Sequence, residues 1–95
     1  MYKNKKIILI APAYNEARKI EEVAKKVPYD VVDTFLVVSD GSTDTTAEAA
    51  EAEGARVLRL KKRNGVGIAI RNGYQIAVEE DFDIAVVIAG NNKDD

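Results

Sequence analysis

Three short polar segments stand out because each begins where a run of aliphatic, β-branched residues ends. They are PAYNE (residues 12–16), DGS (residues 40–42) and GNN (residues 90–92). Their side chains are mostly carboxylates, hydroxyls and amides, which accept and donate hydrogen bonds and carry little positive charge. By this chemistry Asp40 could accept an imino N–H from a nucleobase, and Glu16 could accept ribose hydroxyls.

Four apolar runs alternate with three segments of helical spacing. Strands are predicted at residues 7–11, 35–38, 56–60 and 84–88, and helices at about residues 17–27, 45–53 and 67–80. Pro12 is expected to end the first strand, and Pro28 the first helix. This β-α-β-α-β-α-β pattern predicts an α/β fold, one Rossmann-like unit with a parallel four-stranded sheet, helices on both faces and the strand order 3-2-1-4.

The fold prediction brings the three polar segments together. Every strand of a parallel sheet leaves at the same edge, and ligands bind in the crevice outside the carboxyl ends of the strands. Residues that are far apart in the sequence are therefore expected on one rim. This expected convergence is the strongest indication of a binding site that the residues alone provide.

Each segment also has a purely structural interpretation. Asp40 and Ser42 could form an Asx-type turn, and Ser42, Thr43 or Asp44 could cap the second helix. For Thr43 and Asp44 the turn and cap are favoured, whereas Asp40 is balanced between the two roles. Residues 15–16 could likewise be a helix cap followed by a carboxylate in the first turn.

A basic loop and two glycines precede the third helix. Gly65 and Gly67 fit either a phosphate contact at a helix start or a flexible loop, because neither the GxGxxG nor the GxxxxGK[ST] fingerprint is present. Residues 61–63 (Lys-Lys-Arg) are either solvated charge or a positive lip near a diphosphate. Arg71 fits a surface position better than a ligand contact. Tyr14 could pack on a base or simply cover the first loop.

Composition removes several classes of protein. The chain has 95 residues, 46% hydrophobic and 32% charged, with a net charge of −2, which suits one soluble domain and argues against bulk binding to nucleic acid. It contains no cysteine and no histidine, so thiol chemistry, zinc fingers and Ser-His-Asp triads are excluded. No apolar run is long enough to span a bilayer, and a cytoplasmic location is expected.

PAYNE after the first strand, VVSDGSTD after the second and NGVGIAIRNGY at the third helix together resemble the family-two glycosyltransferases of the GT-A fold. Within that family the motifs are similar in style to dolichyl-phosphate mannosyltransferase and the polyprenyl-phosphate sugar transferases. The resemblance runs from about residue 7 to residue 95.

The resemblance implies the nucleotide-binding half of an inverting enzyme that transfers a sugar from a UDP- or GDP-type donor. On that basis the residues expected to bind the nucleotide are Ala13, Tyr14, Glu16, Asp40, Ser42, Gly65, Gly67 and Arg71. The acceptor is left open between a lipid phosphate and a saccharide. The family's Asp-x-Asp aligns with residues 89–91, which predicts a weakened Mg²⁺ or Mn²⁺ site at Asn91 and Asp95.

Length adds further expectations. A GT-A domain is typically more than twice this size, so we expect residues 1–95 to be a single truncated domain, with the catalytic residues in a second half of the protein. The parent protein could carry membrane helices. An exposed edge of the fourth strand could pair with another copy. The alternatives are a nucleotidyltransferase of the sugar-nucleotide pyrophosphorylase kind and a non-catalytic nucleotide-binding or self-associating module.

Overall fold

The computed structural model describes residues 3–88, and these residues form four strands and three helices. The elements in chain order are β1 (Ile7–Ala13), α1 (Ala17–Lys25), β2 (Thr34–Asp40), α2 (Thr46–Ala52), β3 (Arg56–Leu60), α3 (Val66–Glu79) and β4 (Ile84–Val87). Strands and helices alternate as predicted.

The four strands make one parallel sheet in the order β3-β2-β1-β4, which confirms the predicted order. β1 is central, and it pairs with β2 through Ala13 and with β4 only through Ile10. Parallel neighbours require crossover connections, and the three helices supply them. The carboxyl ends of β1 and β2 therefore lie side by side at one edge.

Helices cover both faces of the sheet, as expected. α1 and α2 pack on the face formed by residues such as Leu9 and Val37, where Ile20 of α1 is fully buried. α3 packs alone among the described helices on the opposite face, against residues such as Ile10 and Leu36. β1 and β2 thus have apolar side chains on both faces, which explains their continuous apolar runs.

Small residues let α3 approach the sheet closely. Ala69, Gly73 and Ala77 are buried on its inner face. A Cβ atom added to Gly73 would lie 2.6 Å from Cγ2 of Ile10, closer than carbon atoms approach without a shift. Glycine at this position is therefore needed for packing, which outweighs its poor helix propensity.

The first two strands are longer than predicted. β1 continues through Pro12 to Ala13, so the prediction that Pro12 ends this strand was wrong. The carbonyl oxygen of Ile10 accepts a hydrogen bond from Ile88 N, so the backbone of Ile10 faces β4. Pro12, two residues further on, faces the same side, past the last pair between β1 and β4, which is Ile10 with Val87. Among residues 3–88, the missing N–H of Pro12 therefore interrupts no ladder hydrogen bond. β2 likewise extends to Asp40, which is a strand residue and not part of the turn.

The two outer strands differ in character. β3 lies at one edge of the sheet, and its exposed Arg59 forms a two-point ion pair with Glu51 at 2.8 and 3.0 Å. β4 has two exposed apolar side chains, Ile84 (38% exposed) and Val86 (43% exposed). Pairing of this edge with another copy stays a prediction.

Candidate functional site

Three loops meet at the carboxyl edge of β1 and β2. The first loop is residues 14–16 between β1 and α1, the second is residues 41–45 between β2 and α2, and the basic loop is residues 61–65 between β3 and α3. Direct contacts connect the first loop to the second, the second to the basic loop, and the basic loop back to the first. The predicted convergence is thus present for the first two polar segments, which the basic loop joins; the third predicted segment, residues 90–92, lies outside the described residues.

Asn15 connects the first loop to the second. Its side-chain oxygen accepts hydrogen bonds from the backbone N–H groups of Thr43 (2.8 Å) and Asp44 (3.3 Å). Its own backbone N–H donates to the Ser42 hydroxyl at 3.1 Å. Asn15 has φ +49°, a conformation that asparagine tolerates better than most residues.

A second set of hydrogen bonds runs through the buried Thr46, the first residue of α2. Its hydroxyl accepts from Glu16 N at 2.9 Å and donates to the Asp44 carboxylate. Asp44 also accepts from Thr46 N at 2.9 Å, so it satisfies one free N–H of the first helical turn. The hydrogen bond from the Thr46 hydroxyl is the largest cause that lowers the pKa of Asp44 below its ordinary 3.8.

These contacts decide between the structural alternatives for this segment. α2 begins after Thr45, whose side chain makes no capping hydrogen bond, while Asp44 bonds the helix from one position earlier. Ser42 bonds to the first loop and does not cap the helix. At α1 the N-cap position is Glu16, whose side chain accepts from Tyr14 N at 3.1 Å and not from the helix.

Asp40 connects β2 to the basic loop. It is 4% exposed, and its two carboxylate oxygens accept from Asn64 N at 2.8 Å and from Gly65 N at 2.9 Å. Gly41 follows with φ +73°, and a Cβ atom added there would lie 2.3 Å from the backbone nitrogen of Arg63. Asp40 therefore holds the basic loop by two hydrogen bonds, and the backbone of this loop packs closely against Gly41.

Arg63 and Tyr14 connect the basic loop to the first loop. The guanidinium carbon of Arg63 lies 4.1 Å from the centroid of the Tyr14 ring, which is a cation–π contact. Arg63 is exposed and Tyr14 is half-buried. One side of the aromatic ring that is predicted to line the base and ribose is thus covered by a positive charge of the basic loop.

A family model described as "Glycosyl transferase family 2" matches residues 8–94. The chain belongs to glycosyl transferase family 2. Glycosyltransferase AglJ of Haloferax volcanii is 37% identical over 65 residues, which are 68% of this chain and 21% of that protein. An uncharacterized protein of Methanocaldococcus jannaschii is 38% identical over 64 residues, 67% of this chain and 26% of that protein.

Solved structures of the same fold include glucosyl-3-phosphoglycerate synthase from Mycobacterium tuberculosis. Its complex with Mn²⁺, UDP and glucosyl-3-phosphoglycerate has a TM-score of 0.75 and 32% identity, and covers 92% of this chain and 34% of that one. Its complex with UDP has a TM-score of 0.76 at 32% identity, and covers 93% of this chain and 34% of that one. The chain thus spans about a third or less of the length of these relatives.

The family-2 assignment confirms the resemblance drawn from PAYNE and VVSDGSTD, together with its Rossmann-like GT-A fold. The similarity to the dolichyl-phosphate and polyprenyl-phosphate enzymes stays a prediction. So do the individual nucleotide contacts predicted above.

The structure brings together most of the predicted nucleotide-binding residues of this family-2 chain. Ala13 is buried at the end of β1, and Gly65, with φ +100°, occupies the N-cap position of α3. Gly67 and Arg71 lie apart from the three-loop contacts, exposed on α3. Asn91 and Asp95, the predicted metal ligands, lie outside the described residues.

Several residues of the site were not singled out by the sequence. By sequence, Asn15 fits a helix cap and Arg63 is one of three basic residues, while Thr46 and Asn64 have no predicted role. Their partners in the other loops lie 24 to 49 positions away in the chain, so no local spacing pattern could reveal them. Of these four residues, only Asn15 had a sequence signal for the site, because it lies in PAYNE between the predicted contacts Tyr14 and Glu16.

Within residues 3–88 no group of three or more acidic side chains could hold a metal ion. None of these residues is assigned a metal-dependent step. Over the same residues, no helix has the length and apolar composition needed to cross a bilayer.

Proposed function

We propose that the chain is the donor-binding part of a glycosyltransferase that moves a sugar from a nucleoside-diphosphate sugar to an acceptor. The observation that carries this proposal is the ring of contacts among three loops at the carboxyl edge of β1 and β2. An open α/β sheet binds its ligands at this edge. Family-2 membership and the UDP complexes of the M. tuberculosis synthase support a nucleotide as that ligand.

The donor would be divided among the loops by chemistry. The first loop supplies Tyr14, an aromatic surface for the base, and Glu16, an acceptor for ribose hydroxyls. Ser42 in the second loop adds a hydroxyl beside them. The basic loop carries three positive charges in a chain of net charge −2, so it is the segment suited to the diphosphate.

The remaining predicted contacts border this arrangement. Ala13 would line the base, Gly65 and Gly67 would allow the donor to approach the start of α3, and Arg71 would add a further cation. Asp40 is also one of the predicted nucleotide-binding residues, and its predicted partner is the base. UDP is the favoured nucleotide because the related structures hold UDP.

The chemistry of transfer would need groups beyond these loops. A base must deprotonate the acceptor as it attacks the sugar, and positive charge must stabilise the diphosphate that leaves. Inversion, the acceptor class and a base in another part of a longer protein are proposals drawn from the family resemblance. Mg²⁺ or Mn²⁺ held by Asn91 and Asp95 is a proposal of the same kind, supported by the Mn²⁺ in the related complex.

The two alternative functions lack a specific observation in their favour. A sugar-nucleotide pyrophosphorylase would need a glycine-rich, basic loop after β1, where this chain has Pro12 to Glu16. A non-catalytic module would share the donor site and differ only in turnover.

Titration of the ¹⁵N-labelled chain with UDP tests the proposal. UDP should shift the backbone amide signals of residues 14–16, 41–45 and 61–65, and leave those of residues 29–33 at the opposite edge unchanged. Glu16→Ala should weaken UDP binding about tenfold, because hydrogen bonds to a charged group contribute roughly 1.5–3 kcal/mol.

The matched control is Glu22→Ala, which removes an exposed carboxylate from the middle of α1. It should leave the affinity for UDP unchanged. Millimolar UDP and GDP that shift no signal of the three loops would refute the proposal. An equal loss of affinity in both variants would show that Glu16 makes no specific contact with UDP.

A further inference from the structure

Asn15 lies between two of the predicted nucleotide contacts, Tyr14 and Glu16, but its own polar atoms are bonded within the protein. Its side-chain oxygen accepts from Thr43 N at 2.8 Å and from Asp44 N at 3.3 Å. An amide oxygen has two lone pairs, so these two N–H groups occupy both. The side-chain oxygen of Asn15 is therefore committed to the second loop.

The backbone of Asn15 takes part in the same connection. Its N–H donates to the Ser42 hydroxyl at 3.1 Å, and its φ is +49°. A left-handed conformation costs free energy in a non-glycine residue, and it persists only where the surroundings hold it. Here the hydrogen bonds to residues 42–44 hold it. Strained residues of this kind are concentrated at ligand-binding sites.

The groups that the proposed function assigns to the nucleoside all adjoin Asn15. Tyr14 precedes it, Glu16 follows it, and Ser42 accepts its N–H. The Glu16 carboxylate also accepts from Tyr14 N at 3.1 Å, so the two flanking residues are joined across Asn15. The backbone angles of this one residue therefore set where the Tyr14 ring lies relative to the Glu16 carboxylate.

The hydrogen bonds of the basic loop to the sheet involve other residues. Asn64 N and Gly65 N donate to the carboxylate of Asp40, at 2.8 and 2.9 Å. The segment suited to the diphosphate and the groups suited to the nucleoside are thus held by separate sets of hydrogen bonds. A change at Asn15 is expected to affect the nucleoside and not the diphosphate.

We propose that Asn15 is a positioning residue for the nucleoside of the donor. It holds the first loop against the second, and this contact places Tyr14, Glu16 and Ser42 around the base and the ribose. The inference depends on the proposed function, because it concerns the same donor site.

Asn15→Gly removes the side-chain oxygen without straining the backbone, because glycine adopts a positive φ freely. In NMR titrations, UDP and uridine should bind this variant about tenfold more weakly, since the ligand must then order a loop that is no longer held. Pyrophosphate, which lacks the nucleoside, should bind as it does to the wild-type chain. A role in stability alone would not separate these ligands.

Two further variants serve as controls. Asn4→Gly changes an exposed asparagine with φ +65° before β1, at the opposite edge of the sheet, and should change none of the three affinities. Asn15→Asp keeps an acceptor oxygen for the same N–H groups and tolerates a positive φ, so its affinity for uridine should be within about twofold of the wild-type value. Uridine suits this comparison because it has no charge for the added carboxylate to repel.

Hydrogen exchange of the wild-type chain tests the proposal if Asn15→Gly does not fold. Uridine and UDP should slow the exchange of the Thr43 and Asp44 amide protons, because a ligand that requires this arrangement stabilises its hydrogen bonds. Pyrophosphate should leave their exchange unchanged. If the base or the ribose bonds directly to the Asn15 oxygen, it must displace these two N–H groups, and their exchange should become faster.

The outcomes separate this inference from the proposed function. If the wild-type chain does not bind UDP, the proposed function fails and this inference fails with it. If the chain binds UDP, the donor site stands, and any of three results would overturn the positioning role. These are uridine that shifts no signal of the first two loops, Asn15→Gly that binds UDP and uridine as tightly as the wild-type chain, and Asn15→Gly that loses as much affinity for pyrophosphate as for UDP.

Discussion

Two glycines with the same backbone strain but different surroundings allow a direct test of the contact between the second loop and the basic loop. Gly41 has φ +73° and Gly54 has φ +93°, so alanine is strained at both. A Cβ atom at Gly54 meets nothing within 4 Å, whereas at Gly41 it would lie 2.3 Å from the backbone nitrogen of Arg63. Gly54→Ala is therefore the matched control for Gly41→Ala.

The expected magnitudes follow from these surroundings. A left-handed conformation costs a non-glycine residue about 1–2 kcal/mol, and the reduced freedom of the unfolded chain offsets part of it, which leaves about 1 kcal/mol for Gly54→Ala. Gly41→Ala adds the cost of overpacking, about 1–3 kcal/mol, because the atoms it meets belong to the backbone and the loop is tied to Asp40. The total is about 3 kcal/mol.

Thermal and urea unfolding, followed by circular dichroism, measure the difference. About 2 kcal/mol between the two variants corresponds to a difference in Tm of roughly 8–16 °C for a domain of this size. If Gly41→Ala lowers the free energy of unfolding no more than Gly54→Ala does, the basic loop does not press against Gly41 and the reasoning is refuted.

Two further predictions concern the site hydrogen bonds and the sheet packing. The pKa of Asp44 is lowered in the folded chain, so its stabilising contribution is present above the ordinary value of 3.8 and is lost as the pH falls through the lower folded pKa. The free energy of unfolding, measured with urea at about pH 5 and about pH 2, should therefore fall less in Asp44→Asn than in the wild-type chain; equal falls would contradict this. Gly73→Ala should lower stability although alanine favours a helix by about 1 kcal/mol, because its Cβ would lie 2.6 Å from Cγ2 of Ile10 and overpacking costs about 1–3 kcal/mol. Gly67→Ala on the same helix, where a Cβ meets nothing within 4 Å, should raise stability, and a gain in both would count against the packing argument.

The fold was predictable because its signals are local and strong. The apolar runs of β1 and β2 carry side chains buried on both faces, and the helices between them leave only a parallel sheet. Pro12 was misjudged because the rule that proline ends a strand assumes a neighbour on both sides. Over the described residues β4 pairs with β1 only as far as Ile10, and strand length cannot be derived from the residues of β1 alone.

The site was predictable in position but not in its connections. Topology places the ends of β1 and β2 at one edge, so Glu16 and Asp40 could be expected near each other. The hydrogen bonds of Asn15 to the second loop and of Asp40 to the basic loop depend on how three loops run in space. The sequence alone does not show whether a carboxylate at the end of a strand, such as Asp40, faces a ligand or a backbone amide.

On the proposed function, Arg63 and the base of the donor compete for the same face of the Tyr14 ring. A base that stacks on the covered face of the ring must first displace the guanidinium, a contact that contributes about 0.5–1 kcal/mol at an exposed site. That exchange weakens binding about two- to fivefold relative to a bare ring. The displaced cation remains tethered beside the ligand by the basic loop, where the negative charge of a diphosphate can recover the loss, so nucleosides would bear the full penalty and nucleotides only part of it.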